Sequence, residues 1–410
     1  MKIFYLYSGF GTVGAGGAGG RIAVYYTEHS FVGQMVAYGG VGSNLKNGAA
    51  GTVYQESRNP LSVHRTLLVD NNGLQVPDTM ITDYNNLQTV GTKTWFPATA
   101  NNMEFDELTL LGNAHLAFEA IESLTLIVAK VIGPSVHEGS FGTLHIGLYQ
   151  SFQLNEVDII LPFNLKLYHD ATLTILPPGV TFQSSQNFIN GRVIGGGDVT
   201  VIDAELSYGQ HARSGNTPEA TIVLHSLQIR YGGIVSFLDG IEEYTIRAGT
   251  VNLSPGGILR GRALLMEDVD TLTIEETAIL TVDHANPFSQ NTEFRSGSGG
   301  SLGGEGGYGH VTSTRTYPIT DISSPNLFGE PGQCRWNPCL NGESPAGGGK
   351  LLIKAHTIIN RGTISASGED TPNSMQAGGG SGGSIWLECT NIDSTDDATI
   401  QIFYSIHRQE

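Results

Sequence analysis

Leu272-Thr273-Ile274-Glu275-Glu276-Thr277-Ala278-Ile279-Leu280-Thr281-Val282 is the stretch that decides how this chain folds. Apolar residues alternate with Thr273 and Thr281, and period two with β-branched side chains is the mark of a strand. Between the two alternating runs there is room only for a tight corner. The same template occurs at Leu108, Leu110, Ala114, Leu116 and Phe118, and again at Leu165, Leu167, Ala171, Leu173 and Ile175. Three copies of strand, corner, strand imply a repeating architecture.

Working outward, further short strands are expected at Leu124 to Val128, Val157 to Leu161, Val199 to Ile202, Thr221 to Leu224, Tyr244 to Ile246 and Val251 to Leu253. Helical spacing is nearly absent from Phe105 to Val282. Many short strands suit either a parallel β-helix or a β-sandwich. A sandwich needs hairpins, and the favoured hairpin dipeptides occur only at Asn47-Gly48, Asn72-Gly73, Asn190-Gly191, Asp239-Gly240 and Asn341-Gly342. The expectation is therefore an all-β parallel β-helix, with the β-sandwich as alternative. In such a coil Leu110, Leu116, Leu167, Leu173, Ile274 and Leu280 should stack in one interior. Thr109, Thr174 and Thr273 should face solvent.

The two ends carry a second repeat. Gly20-Arg21-Ile22-Ala23-Val24 continuing to Gly33-Gln34-Met35-Val36-Ala37-Tyr38-Gly39 matches, without a gap, Gly349-Lys350-Leu351-Leu352-Ile353 continuing to Gly362-Thr363-Ile364-Ser365-Ala366-Ser367-Gly368. A weaker copy begins at Gly383-Ser384-Ile385-Trp386-Leu387. The glycine runs lack the Lys-Ser/Thr ending of a phosphate loop and feed strands rather than helices, so they read as backbone close-approach sites.

The segments Gly16-Gly17-Ala18-Gly19-Gly20-Arg21-Ile22-Ala23-Val24-Tyr25-Tyr26, Gly48-Ala49-Ala50-Gly51-Thr52-Val53-Tyr54 and Gly378-Gly379-Gly380-Ser381-Gly382-Gly383-Ser384-Ile385-Trp386-Leu387 together resemble giant glycine-rich repeat proteins, predicted to be secreted, that carry pectin-lyase-like β-helix modules. The resemblance spans most of the chain, and it implies a right-handed, single-stranded coil outside the cell or at its surface, with a structural or adhesive role. It brings no catalytic residues with it. The pattern lapses after Leu387, where Thr390 to Glu410 lacks the next Gly-x-Ile-x-Ala-x-Gly element, so a fragment of a longer repeat is expected. The organisation read from these features is a glycine-rich module over 1–75, a linker or loop over 76–104, regular coils over 105–288, a glycine-rich loop region over 289–349 and a truncated glycine-rich module over 350–410.

Composition agrees with this reading. The 410 residues include 55 glycines, about twice the usual share of roughly 7%, and only 15% are charged. The net charge of −18 repels phosphate backbones and leaves no basic stripe for nucleic acid. No run approaches the roughly 20 apolar residues of a membrane helix. Met1 to Tyr7 is too short in apolar residues for a signal peptide core. Extracellular matrix proteins or polysaccharides are the partners such a coil would meet.

Carboxylates on one face of a coil are the natural catalytic candidates, here Asp198, Asp203, Asp268 and Asp270. Asp268 and Asp270, two apart in a strand, could share a water or a cation, but no spacing ties Arg262 or His284 to them. His115, His145, His169 and His225 fall in or beside strands, without metal-ligand spacing. Cys334 and Cys339 suit a local disulfide, leaving Cys389 over. Asn252-Leu253-Ser254 is a glycosylation sequon, relevant to a secreted chain. On balance no catalytic, cofactor or metal residue is assigned, and an enzyme acting on carbohydrate or a carbohydrate-binding module is the alternative.

Overall fold

The computed structural model describes residues 4–5, 15–28, 31, 33–42, 47–59, 62–75, 93–97, 101–119, 124–134, 142–146, 150–154, 159–168, 171–209, 212–214, 220–237, 243–284, 325, 327–329, 331, 345–370 and 380–402. Among the described residues there is no helix; strands are joined by turns and extended segments. The chain forms two compact units, Met1–Asn216 and Thr217–Glu410.

In the first unit a nine-stranded sheet runs in the order Arg21–Tyr26, Thr52–Asn59, Ser62–Asp70, Asn102–Leu111, Leu124–Ile132, Gln150–Leu154, Thr172–Thr174, Arg192–Ile194, Arg213–Ser214. A second row of neighbours is Thr94–Pro97, His115–Glu119, Thr143–Ile146, Asn164–Leu167, Gln186–Ile189 and Glu205–Tyr208. A third joins Ile159–Leu161, Gly179–Gln183 and Asp198–Ile202, and Phe4–Tyr5 lies on Met35–Val36. In the second unit the chain alternates between two rows. One contains the long strands Thr221–Arg230, Tyr244–Leu253, Ala263–Ile274, Lys350–Asn360 and Ser384–Ser394; the other contains Ile234–Phe237, Ile258–Arg260, Ile279–Thr281, Thr363–Ser365 and Thr399–Gln401. The two strands expected at Tyr244 and Val251 are thus one.

Pairing within the rows is parallel. The crossover that a parallel pair requires is supplied by strands of a neighbouring row instead of a helix. One pair departs from this: Thr52–Asn59 and Ser62–Asp70 run antiparallel, with Glu56 opposite Arg65 and Tyr54 opposite Leu67. No Asn-Gly or Asp-Gly lies between the two strands, so the dipeptide search missed this hairpin.

The corners share one hydrogen bond. Ala114 N donates to Leu111 O at 3.1 Å, Ala171 N to Tyr168 O at 3.0 Å and Ala278 N to Glu275 O at 3.0 Å, one in each copy of the template. Gly112 and Asn113 both have positive φ, as a type I′ turn requires. Pro255 and Gly256 occupy the positions favoured in a type II turn, and Gly256 has φ of +74°. The closing alanines are fully buried.

Leu110, Leu116, Leu167, Leu173, Ile274 and Leu280 are all at 0% exposure, as expected. Two details differ. Thr109, Thr174 and Thr273 are half-buried rather than solvent-facing, because each is flanked by residues of the adjacent strands. The template copies also do not stack on one another. Leu116, from the second half of the first copy, pairs through Leu144 with Leu165, from the first half of the second. Strand, corner, strand is a general solution for any corner, and the chain uses it at different ones.

The glycine modules match atom for atom. In the first, Gly19 N donates to Ala49 O, Gly51 N to Ala37 O and Thr52 N to Gly20 O. In the second, Gly348 N donates to Ser381 O, Gly383 N to Ala366 O and Ser384 N to Gly349 O. A Cβ on Gly51 would lie 1.7 Å from Gly20 O, and one on Gly383 would lie 1.9 Å from Gly349 O. Backbone therefore packs directly on backbone, which only glycine permits.

Candidate functional site

The carboxylates singled out by sequence all lie among the described residues. Asp268 stands at a register shift between Met266 and Val269, with φ of +56°. Asp268 and Asp270 flank buried Val269, and both are exposed. The Asp268 side chain is 77% exposed and sits 3.5 Å from Arg247 Nε. Arg262 places its guanidinium 5.5 Å from the centre of the Phe328 ring, and His284 is an exposed turn residue. Asp203 is an exposed positive-φ residue after a strand, and Asp198 begins that strand. No cluster of three or more His, Cys, Asp or Glu capable of holding a metal occurs among the described residues.

Two histidines do meet. His115 Nδ1 lies 3.1 Å from His145 Nε2, and His145 Nδ1 lies 2.9 Å from the Tyr168 hydroxyl. The rings of His115 and His145 stack with centres 5.3 Å apart. His145 is fully buried. Burial first, then the fields of His115, Lys93 and Lys166, holds its pKa well below the ordinary value, so it is neutral near pH 7. Hydrogen bonding of this kind satisfies a buried imidazole and fixes its tautomer. His225 is exposed on its strand, and His169, Cys334 and Cys339 lie outside the described residues. Cys389 is a half-buried free thiol. Asn252, the sequon residue, is half-buried between registered neighbours Gln228 and Thr273.

The site that sequence reasoning missed is a cleft in the first unit, with a cavity of about 580 Å³. Its described walls come from the strands starting at Arg21, Thr52, Ser62, Thr94 and Asn102. Rings form a chain along it: Tyr25 to Tyr54 at 5.9 Å, Tyr54 to Phe105 at 6.4 Å and Phe105 to Phe96 at 6.1 Å between centres. Tyr25 is 52% exposed, and the Arg58 guanidinium lies 4.2 Å from its ring centre. Tyr54 donates its hydroxyl to Glu56 at 2.6 Å, and Arg58 donates to the other carboxylate oxygen at 2.8 Å. Burial, reinforced by Glu56, pushes the Tyr54 phenol far up. The hydrogen bond from Tyr54, then that from Arg58, holds Glu56 below the usual carboxylate range. Tyr54 thus remains protonated and Glu56 charged.

Arg21 hangs at the mouth and donates to the Trp95 carbonyl at 2.9 Å. The signal in the sequence was faint. Tyr25, Tyr54, Phe96 and Phe105 are far apart along the chain and meet only through the pairings described. Comparison with family models, with curated proteins and with solved structures finds no match to this chain.

Proposed function

We propose that the chain is part of a right-handed parallel β-helix, of the glycine-rich repeat kind, that serves as a structural or adhesive element outside the cell and carries out no catalysis. The observation that supports this reading most is the recurrence of the glycine module. The contacts among residues 17–52 are repeated among residues 346–384, down to the same donors and acceptors. A backbone arrangement that recurs in this way is one that can be extended by adding repeats, each needing only its neighbours. Length built from such repeats is the property of a spacer or a fibre.

The test is incubation of the chain with acidic and neutral polysaccharides, with and without calcium, following reducing ends and unsaturated sugar. No release is expected. Release that disappears in the Asp268→Ala, Asp270→Ala double variant would replace this reading with the enzymatic one.

A further inference from the structure

The cleft between Tyr25 and Phe105 is not demanded by the fold, as the chain's own second module shows. Where the first module has Arg21, Ala23 and Tyr25, the second has Lys350, Leu352 and Lys354 on the equivalent strand. Both lysines there are neutralised, Lys350 by Glu243 at 3.5 Å and Lys354 by Glu267 at 3.3 Å. Among the described residues exposed Arg21 has no ion-pair partner and one hydrogen bond, to an uncharged carbonyl, which leaves most of its donors available. A small residue at 23 keeps the space open, where leucine stands in the other module.

Around that space the chemistry is mixed in a particular way. Tyr25, Phe96, Met103 and Phe105 supply an apolar wall, while buried Thr52 and exposed Asn102 and Glu104 add polar groups to the lining. Apolar walls with a few fixed polar groups characterise small-molecule sites, and the volume lies within the usual range of roughly 300 to 1,000 Å³. Polar side chains beside exposed aromatic surface suit a ligand that carries hydroxyls and has an apolar face to lay on a ring. A guanidinium without an ion-pair partner among the described residues suits an anionic group on that ligand, and guanidinium matches carboxylate in two parallel hydrogen bonds.

We propose that this cleft binds a short stretch of a carboxylate-bearing saccharide, with a sugar face on Tyr25 and the carboxylate on Arg21. The inference is independent of the structural role proposed above: a chain that bound no sugar would still form its parallel rows, and binding here requires no cleavage.

The experiment is calorimetric titration of the intact chain with a galacturonate tetrasaccharide, a hyaluronan tetrasaccharide, cellotetraose and maltotetraose. Saturable binding of at least one acidic sugar is expected, with the neutral sugars about tenfold weaker or more, the usual scale for a lost charge-assisted hydrogen bond. Arg21→Gln and Tyr25→Ala should each weaken binding about tenfold, and both residues are exposed, so the fold survives. Tyr231→Ala, at a residue 69% exposed in the second unit, should change nothing. Absence of saturable binding, equal affinity for neutral and acidic sugars, or binding indifferent to Arg21→Gln and Tyr25→Ala would each overturn the proposal.

Discussion

Truncating Leu280 to alanine tests how the core carries stability. Leu280 lies in a column of registered residues, Val235, Leu259, Leu280, Ile364 and Ile400, one from each strand of its row. Leu259, Leu280 and Ile364 are at 0% exposure, and Ile400 at the end of the column is 49% exposed. Removing the Leu280 side chain beyond Cβ loses its transfer free energy and leaves a cavity between strands held at a spacing of about 4.8 Å, which limits collapse. The expected cost is about 3 kcal/mol. Ile400→Ala removes atoms already half in water and should cost about 1 kcal/mol or less. Because each strand depends on its neighbours, the loss at Leu280 should be felt nearby. Amide hydrogen exchange at residues 258–260 and 363–365 should speed up by about a hundredfold, and by fivefold or so at most for Ile400→Ala. Equal effects from the two substitutions would refute the reasoning that burial along the column sets stability.

Gly383→Ala drives a methyl group to within 1.9 Å of the Gly349 carbonyl, so the strands after Gly349 and Gly383 should separate, costing about 2 kcal/mol or more and exposing Ser384–Ser394 to protease. Because His145 has a lowered folded pKa, the unfolded state takes up a proton that the folded state does not, once pH falls below the ordinary value of about 6.5. Stability should therefore decline from pH 7 toward pH 5, and urea midpoints for His145→Phe should show a shallower decline than the parent chain; an equal decline would mean that His145 is not the group responsible. Thr273→Ser, at a half-buried position on the outer alternation, should shift the urea midpoint by the equivalent of about 0.5 kcal/mol or less.

The rows were legible in the sequence because a strand advertises itself through period two and because the corner template repeats. Leu110, Leu116 and Leu280 follow from that pattern alone. What period two cannot show is which corner a given copy occupies, so the pairing of Leu116 with Leu165 through Leu144 was out of reach. The Thr52–Asn59 hairpin was missed because its turn has no favoured dipeptide. Asp268 and Asp270 flank buried Val269 as counting expects, while the register shift at Asp268 and its pairing with Arg247 were invisible to counting. The aromatic cleft depends on contacts such as Tyr54 with Phe105, which exist only once the rows are assembled.

Parallel stacking with one strand per repeat is the claim on which the rest depends, and a single distance series tests it. Gln228, Asn252, Thr273, Ile359 and Asp393 form one registered ladder in the second unit. Nitroxide labels at positions 228 and 393 span four strand spacings, so electron spin distance measurement should give a single separation near ~19 Å, falling by about 4.8 Å when the label moves from 228 to 252. A separation beyond ~30 Å, or one that does not shorten with that move, would contradict the parallel rows.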